Sequence, residues 1–174
     1  MQNRYCRRTK LSEESFLLVL AAYCGGRTAT DAHQQLVDMK VSISRQTIEK
    51  KYLDLGRYLY LGFYRRALLD LVRKSNPTIE LSDEKLEPLV IDHLWKAMRG
   101  TVEYAVATKP DNPESNIESM IAILQDRWRS ANGLARSTFY SHVGYAGFFE
   151  QPSMINDREA AFQRLKSAFL HTPL

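Results

Sequence analysis

The sequence predicts a mainly all-α fold, and three observations carry that prediction. Apolar residues recur at three- and four-residue spacing in segment after segment, the period of a helix with one buried stripe. Small polar residues that make good N-caps (Ser12, Ser44, Ser82, Asp157) stand just ahead of these segments, and Gly25-Gly26, Gly100 and Asn132-Gly133 close them. Weak alternation occurs only over 101–107, so at most one short strand is expected there. With 174 residues, 44% of them hydrophobic, the chain can bury one core or two small helical ones.

The elements follow in order. Ser12 caps a first helix, with Glu13 and Glu14 opposing the positive end of its dipole and Phe16, Leu17, Leu20 and Tyr23 or Cys24 on the inner stripe. Thr28 or Thr30 caps a second, whose inner face holds Ala29, Ala32 and Leu36, with Val37 and Met39 as further candidates. Residues 40–43 read as a turn, and Ser44 caps a third helix with Ile48, Tyr52, Leu55 and Leu59 inward. Three helices in so short a stretch, the last two joined by a turn, make a helix-turn-helix unit over 1–60. The aromatic-rich run from Tyr58 to Val72 is apolar on most sides and must be covered. It opens a helical region spanning 61–174. Ser82 starts a further helix to Met98, with a start near Glu87 or a bend as the alternatives that Pro88 allows. Residues 108–115, with Pro110 and Pro113, form the internal loop. Helices then run from about Glu114 to Ala131, from Ser137 (weakened by Gly144 and Gly147), and from Asp157.

Composition excludes several classes of function. No apolar run is long enough to cross a membrane, and Arg4, Arg7 and Arg8 lead into Ser12-Glu13-Glu14 rather than a hydrophobic leader. The expected location is therefore the cytoplasm. Cys6 and Cys24 are too few for a disulfide framework, and His33, His93, His142 and His171 are scattered, so neither metal nor cofactor is expected, and the cysteines read as small hydrophobes. No small-molecule substrate is evident. The net charge of +4 is unevenly spread. Residues 1–76 hold 14 Lys or Arg against 7 Asp or Glu, net +7, and the remainder holds 10 against 13, net −3. A basic first half is what a polyanion-binding module requires, although a solvated, uneven surface would look the same.

The chemistry concentrates at the start of the third helix. In a helix-turn-helix the first turns of that helix face base edges. Here they read Ser44, Arg45, Gln46 and Thr47. Arginine can grip guanine, glutamine can grip adenine, and threonine can touch a thymine methyl. Lys50, Lys51 and Arg57 suit phosphates, Thr28 and Thr30 stand at the start of the second helix, and Arg7, Arg8 and Lys10 form a basic arm that can track the backbone or a minor groove. The plain alternative is a capped and solvated helical turn.

The stretches Leu11-Ser12-Glu13-Glu14-Ser15-Phe16, Gly26-Arg27-Thr28-Ala29-Thr30-Asp31-Ala32 and Ser44-Arg45-Gln46-Thr47-Ile48-Glu49-Lys50-Lys51-Tyr52 resemble the helix-turn-helix of insertion-sequence transposases of the Asp-Asp-Glu/Asn class. Asn116-Ile117-Glu118-Ser119-Met120, then Arg127-Trp128-Arg129 and Gly133-Leu134 followed by Thr138-Phe139-Tyr140, are similar to the last helices of the same family. The resemblance covers about half of the chain and implies a DNA-binding protein of transposase origin. The family's zinc-ribbon cysteines are absent, and the interval between the two matches is too short for its catalytic sheet. Glu118 or Asn116 matches the final catalytic position, yet metal-assisted cleavage needs carboxylates from several elements. Asp92, behind Leu89-Val90-Ile91, imitates an acid at a strand end but reads as a solvated helical charge. No catalytic residue is assigned. The expected partner is double-stranded DNA, with a homodimer as an option. Two further readings stand beside this one. The first is a transcriptional regulator with a helical dimerisation or ligand region, in which Ser137-Thr138-Phe139-Tyr140 resembles a repressor reading helix. The second is a protein-interaction adapter docking through Tyr58–Tyr64.

Overall fold

A computed structural model describes residues 3–5, 11–100, 117–130, 133–149, 157–171 and 174. Every regular element among them is helical: α1 (Glu13–Cys24), α2 (Ala29–Asp38), α3 (Arg45–Leu59), a π-helical turn (Tyr60–Tyr64), α4 (Arg65–Ser75), α5 (Asp83–Met98), α6 (Ile117–Ser130), a 3-10 turn (Arg136–Thr138), α7 (Phe139–Phe149) and α8 (Arg158–His171). The strand expected near 101–107 and the loop over 108–115 lie outside the described residues.

The chain divides into two compact units, Met1–Leu55 with Pro152–Leu174, and Gly56–Gln151, so the boundary falls within α3. This grouping differs from a division into 1–60 and 61–174. Helix α8 belongs with the first unit because its Ala161, Leu165 and Phe169 stripe finds apolar cover on α1.

In the first unit the caps are local and explicit. Ser12 Oγ accepts from Ser15 N–H, Thr28 Oγ1 from Asp31 N–H, Ser44 Oγ from Thr47 N–H and Asp157 Oδ1 from Ala160 N–H. Gly26, at φ +71°, turns the chain after α1. The buried side chains of this unit include Phe16, Val19, Leu20, Tyr23, Leu36, Ile48, Tyr52, Leu55, Leu165 and Phe169, whereas Val37 and Met39, expected on the inner face of α2, are exposed near the end of that helix. The Phe169 ring meets Phe16 edge-on at 6.1 Å, Tyr5 stacks on Phe16 at 6.2 Å, and Leu174 N–H donates to Tyr5 O at 3.0 Å. Tyr23 of α1 and Tyr52 of α3 pack edge-to-face at 5.0 Å.

The second unit is organised by a close crossing. Helix α7 lies on the segment from Gly56 to Tyr64, and a Cβ added to Gly144 would stand 2.6 Å from the Tyr60 amide nitrogen and 2.9 Å from Tyr60 Cβ. The glycines that weaken α7 as an isolated helix are what let it approach. Phe139, Val143 and Ala146 then join Tyr60, Leu69, Val90, Leu94, Met120 and Leu124 in one core. Near it, Tyr60 Oη and Arg65 Nε each donate to the Glu87 carboxylate at 2.8 Å. Pro88 neither shifts nor splits α5, which starts after Ser82 and continues to Met98. Residue Ser137 is not the cap of α7, because it sits within the 3-10 turn that leads into that helix. The expected covering of the aromatic run is partial: Tyr60, Leu68 and Leu69 are buried, whereas Leu61 is 56% and Phe63 39% exposed.

Candidate nucleic-acid interface

Helix α3 is amphipathic along its first turns, where Ile48, Tyr52 and Leu55 are inward and buried. This leaves Ser44, Arg45, Gln46 and Lys50 on the solvent side. The structure therefore brings these four together at the exposed beginning of one helix.

The remaining sequence candidates divide. Thr28 and Ser44 are committed to their helices as caps, and the Thr28 hydroxyl also contacts Asp31 Oδ2 at 2.7 Å. The half-buried Thr47 lies with its Oγ1 2.8 Å from Ser44 Oγ, which ties it to the cap. Thr30 is exposed on the first turn of α2. Lys51 has a side chain only 13% exposed and lies 3.2 Å from Asp54 Oδ2, so it is held against the helix surface. Arg57 is exposed, but lies past the boundary, in the second unit. Arg7, Arg8 and Lys10 lie outside the described residues.

The electrostatics are mildly cationic. Residues 27–51 hold five Lys or Arg and three Asp or Glu. Arg45 Nε is 3.4 Å from Glu49 Oε1, one turn along, with both side chains about half exposed. An exposed pair at this spacing is worth about 0.3–0.5 kcal/mol, which leaves the guanidinium free to exchange partners.

Between α2 and α3 the chain makes a complete Schellman turn: Val41 N–H donates to Leu36 O at 2.8 Å and Lys40 N–H to Val37 O at 2.9 Å. Sequence reasoning passed over Lys40, which is exposed and carries φ +59°. A helix stop without glycine was the one available signal.

The other chemical candidates are structural. Asp92 lies on helix α5, not at a strand end, and pairs with Lys96 at 2.7 Å and with Arg136, contacts that hold its carboxyl below the ordinary range. Glu118 lies in α6, while Asn116 is outside the described residues. Arg127 stacks 3.7 Å over the Tyr145 ring, beside His142, whose imidazole is pushed down to about 4 by burial and by Arg127. Among the described residues no group of three or more His, Cys, Asp or Glu could hold a metal ion, and no helix is long and apolar enough to cross a membrane. Comparison with protein-family models, curated proteins and solved structures finds no match.

Proposed function

We propose that this chain binds double-stranded DNA, with the first two turns of α3 entering a groove. The observation that carries the reading is the division of α3 into a buried stripe, Ile48, Tyr52 and Leu55, and an exposed donor set, Arg45, Gln46 and Lys50, at the helix start. Arg45 and Gln46 have the chemistry for purine edges, and Lys50 for phosphate. Descent from an insertion-sequence transposase without its catalytic core is part of the proposal and rests on the motif resemblance alone. The expected compartment is the cytoplasm.

Fluorescence anisotropy on a labelled duplex at several salt concentrations tests it. Affinity should fall steeply as salt rises, and Arg45→Ala should weaken binding by about 1–3 kcal/mol where that residue meets a base. Binding that is absent, or insensitive to salt, overturns the reading. One observation favours a second reading, a protein-docking role: the exposed Leu61 and Phe63 on the π-helical turn. That reading expects a protein partner whose capture is lost in Leu61→Ser with DNA binding unchanged.

A further inference from the structure

Lys40 is the single residue other than glycine with a positive φ among the described residues, at +59°. A side chain there crowds the following carbonyl, and the C′ position of a Schellman turn is usually glycine for that reason. The turn of a helix-turn-helix often contains glycine as well. Here both hydrogen bonds of the turn are made, so the backbone is fully committed to the conformation that disfavours lysine. Nothing in the packing accounts for the side chain. Lys40 is exposed and is no member of the pairs Arg4–Glu13, Arg45–Glu49 and Lys51–Asp54 made by other charged residues of its unit.

We infer that Lys40 is a phosphate contact, its ammonium kept at a strained turn because it meets the DNA backbone beside the reading helix. This rests on the DNA-binding reading above and adds a residue to it. Ser44 is the fourth residue after Lys40, which places the Lys40 Cα within about 14 Å of the α3 cap. A duplex carries one phosphate charge per roughly 1.7 Å of its axis, so a lysine that close to a helix lying in a groove meets backbone oxygens. The strained φ fixes where the side chain leaves the turn, and Lys50, one helical turn past Gln46, supplies a second cation on α3.

Lys40→Gly separates charge from backbone, since glycine suits the left-handed position and removes only the ammonium. In the 174-residue chain, anisotropy titrations of a random-sequence duplex at several NaCl concentrations should show affinity about 3- to 10-fold lower at low salt and a log–log salt slope shallower by about 0.9. The melting temperature should be equal to or above that of the parent protein. Lys40→Asn, neutral and tolerant of positive φ, should repeat the loss, and Lys40→Arg should retain parental binding. Parental slope and affinity in Lys40→Gly would overturn the assignment of Lys40 while leaving the DNA reading intact. A parent protein with no salt-dependent binding would remove both.

Discussion

Gly144→Ala provides the sharpest test of the packing. In an exposed helix this change stabilises by close to 1 kcal/mol, because alanine is the better helix former. At position 144 the new Cβ would sit 2.6 Å from the Tyr60 amide nitrogen and 2.9 Å from Tyr60 Cβ, where ordinary contact begins at 3.4 Å. The Gly56 carbonyl oxygen stands closer still, so helix α7 would have to withdraw by more than about 1 Å along its contact with the Gly56–Tyr64 segment, and backbone atoms cannot rotate out of the way as a side-chain tip can. Withdrawal loosens Phe139, Val143 and Ala146 in the core behind it. Overpacking costs about 1–3 kcal/mol or more, and clashes with backbone put this one at the upper end; less the propensity gain of about 1 kcal/mol, the expected net destabilisation is about 2 kcal/mol, a fall of roughly 4–8 °C in melting temperature. Gly62 is the control: a Cβ there meets nothing within 4 Å, and Gly62→Ala should be neutral or stabilising by up to about 1 kcal/mol. Thermal and urea melts of both variants decide the matter. Gly144→Ala melting at or above the parent temperature would refute the close crossing.

Three further outcomes follow from single side chains. His142 titrates near 4 in the folded chain against 6.5 in its ordinary state, so the native form favours the neutral imidazole. The stabilisation is complete above pH 6.5 and is lost as pH falls toward 4, amounting to no more than about 3 kcal/mol; the difference in urea stability between parent and His142→Asn should shrink over that window, and a constant difference refutes it. Phe169→Ala should destabilise by about 3–5 kcal/mol in a urea titration by emptying the contact with Phe16, whereas an unchanged midpoint would mean that α8 adds nothing to the first unit. Cys24 is buried, with its thiol pushed up to about 12 by burial and by Glu159, so iodoacetamide at pH 8 should label it only after denaturation; peptide mapping of the native protein showing alkylated Cys24 would contradict this.

What was legible in the sequence is what depends on neighbours three or four residues away. Ser12, Thr28, Ser44 and Asp157 each bond an amide three positions ahead, so spacing identified three of them outright and narrowed the fourth to Thr28 or Thr30. The inner stripe Ile48, Tyr52 and Leu55 was legible for the same reason. What escaped depends on partners far along the chain. Periodicity says that Ala161, Leu165 and Phe169 will be covered, but not that α1, well over a hundred residues earlier, covers them. Gly144 read as a weak point because helix propensity is local, while its use is an approach of backbone to backbone. At the candidate interface the residue types were legible and their availability was not. Whether Thr47 is spent on a cap, or Lys51 on Asp54, is decided by rotamers that spacing leaves open.

That difference in availability makes the strength of DNA binding itself a test. Of the cations near the reading turn, Lys40 and Lys50 are exposed, and Arg45 is held only by an exposed one-turn pair that water already screens. Lys51 differs, because its stem is packed and its ammonium would have to leave Asp54 before meeting a phosphate. Three available cations imply a log–log salt slope near −2.7, so a rise from about 50 to 200 mM salt should weaken binding roughly 40-fold. Lys50→Ala should remove about one unit of slope and Lys51→Ala much less. Equal losses from the two lysines would show that the Lys51–Asp54 pair opens on binding, and the assignment of contacts by exposure would fall. A slope far steeper than three cations explain would require charges outside this turn, for which the exposed Arg27 and the sequence's basic arm of Arg7, Arg8 and Lys10 are candidates.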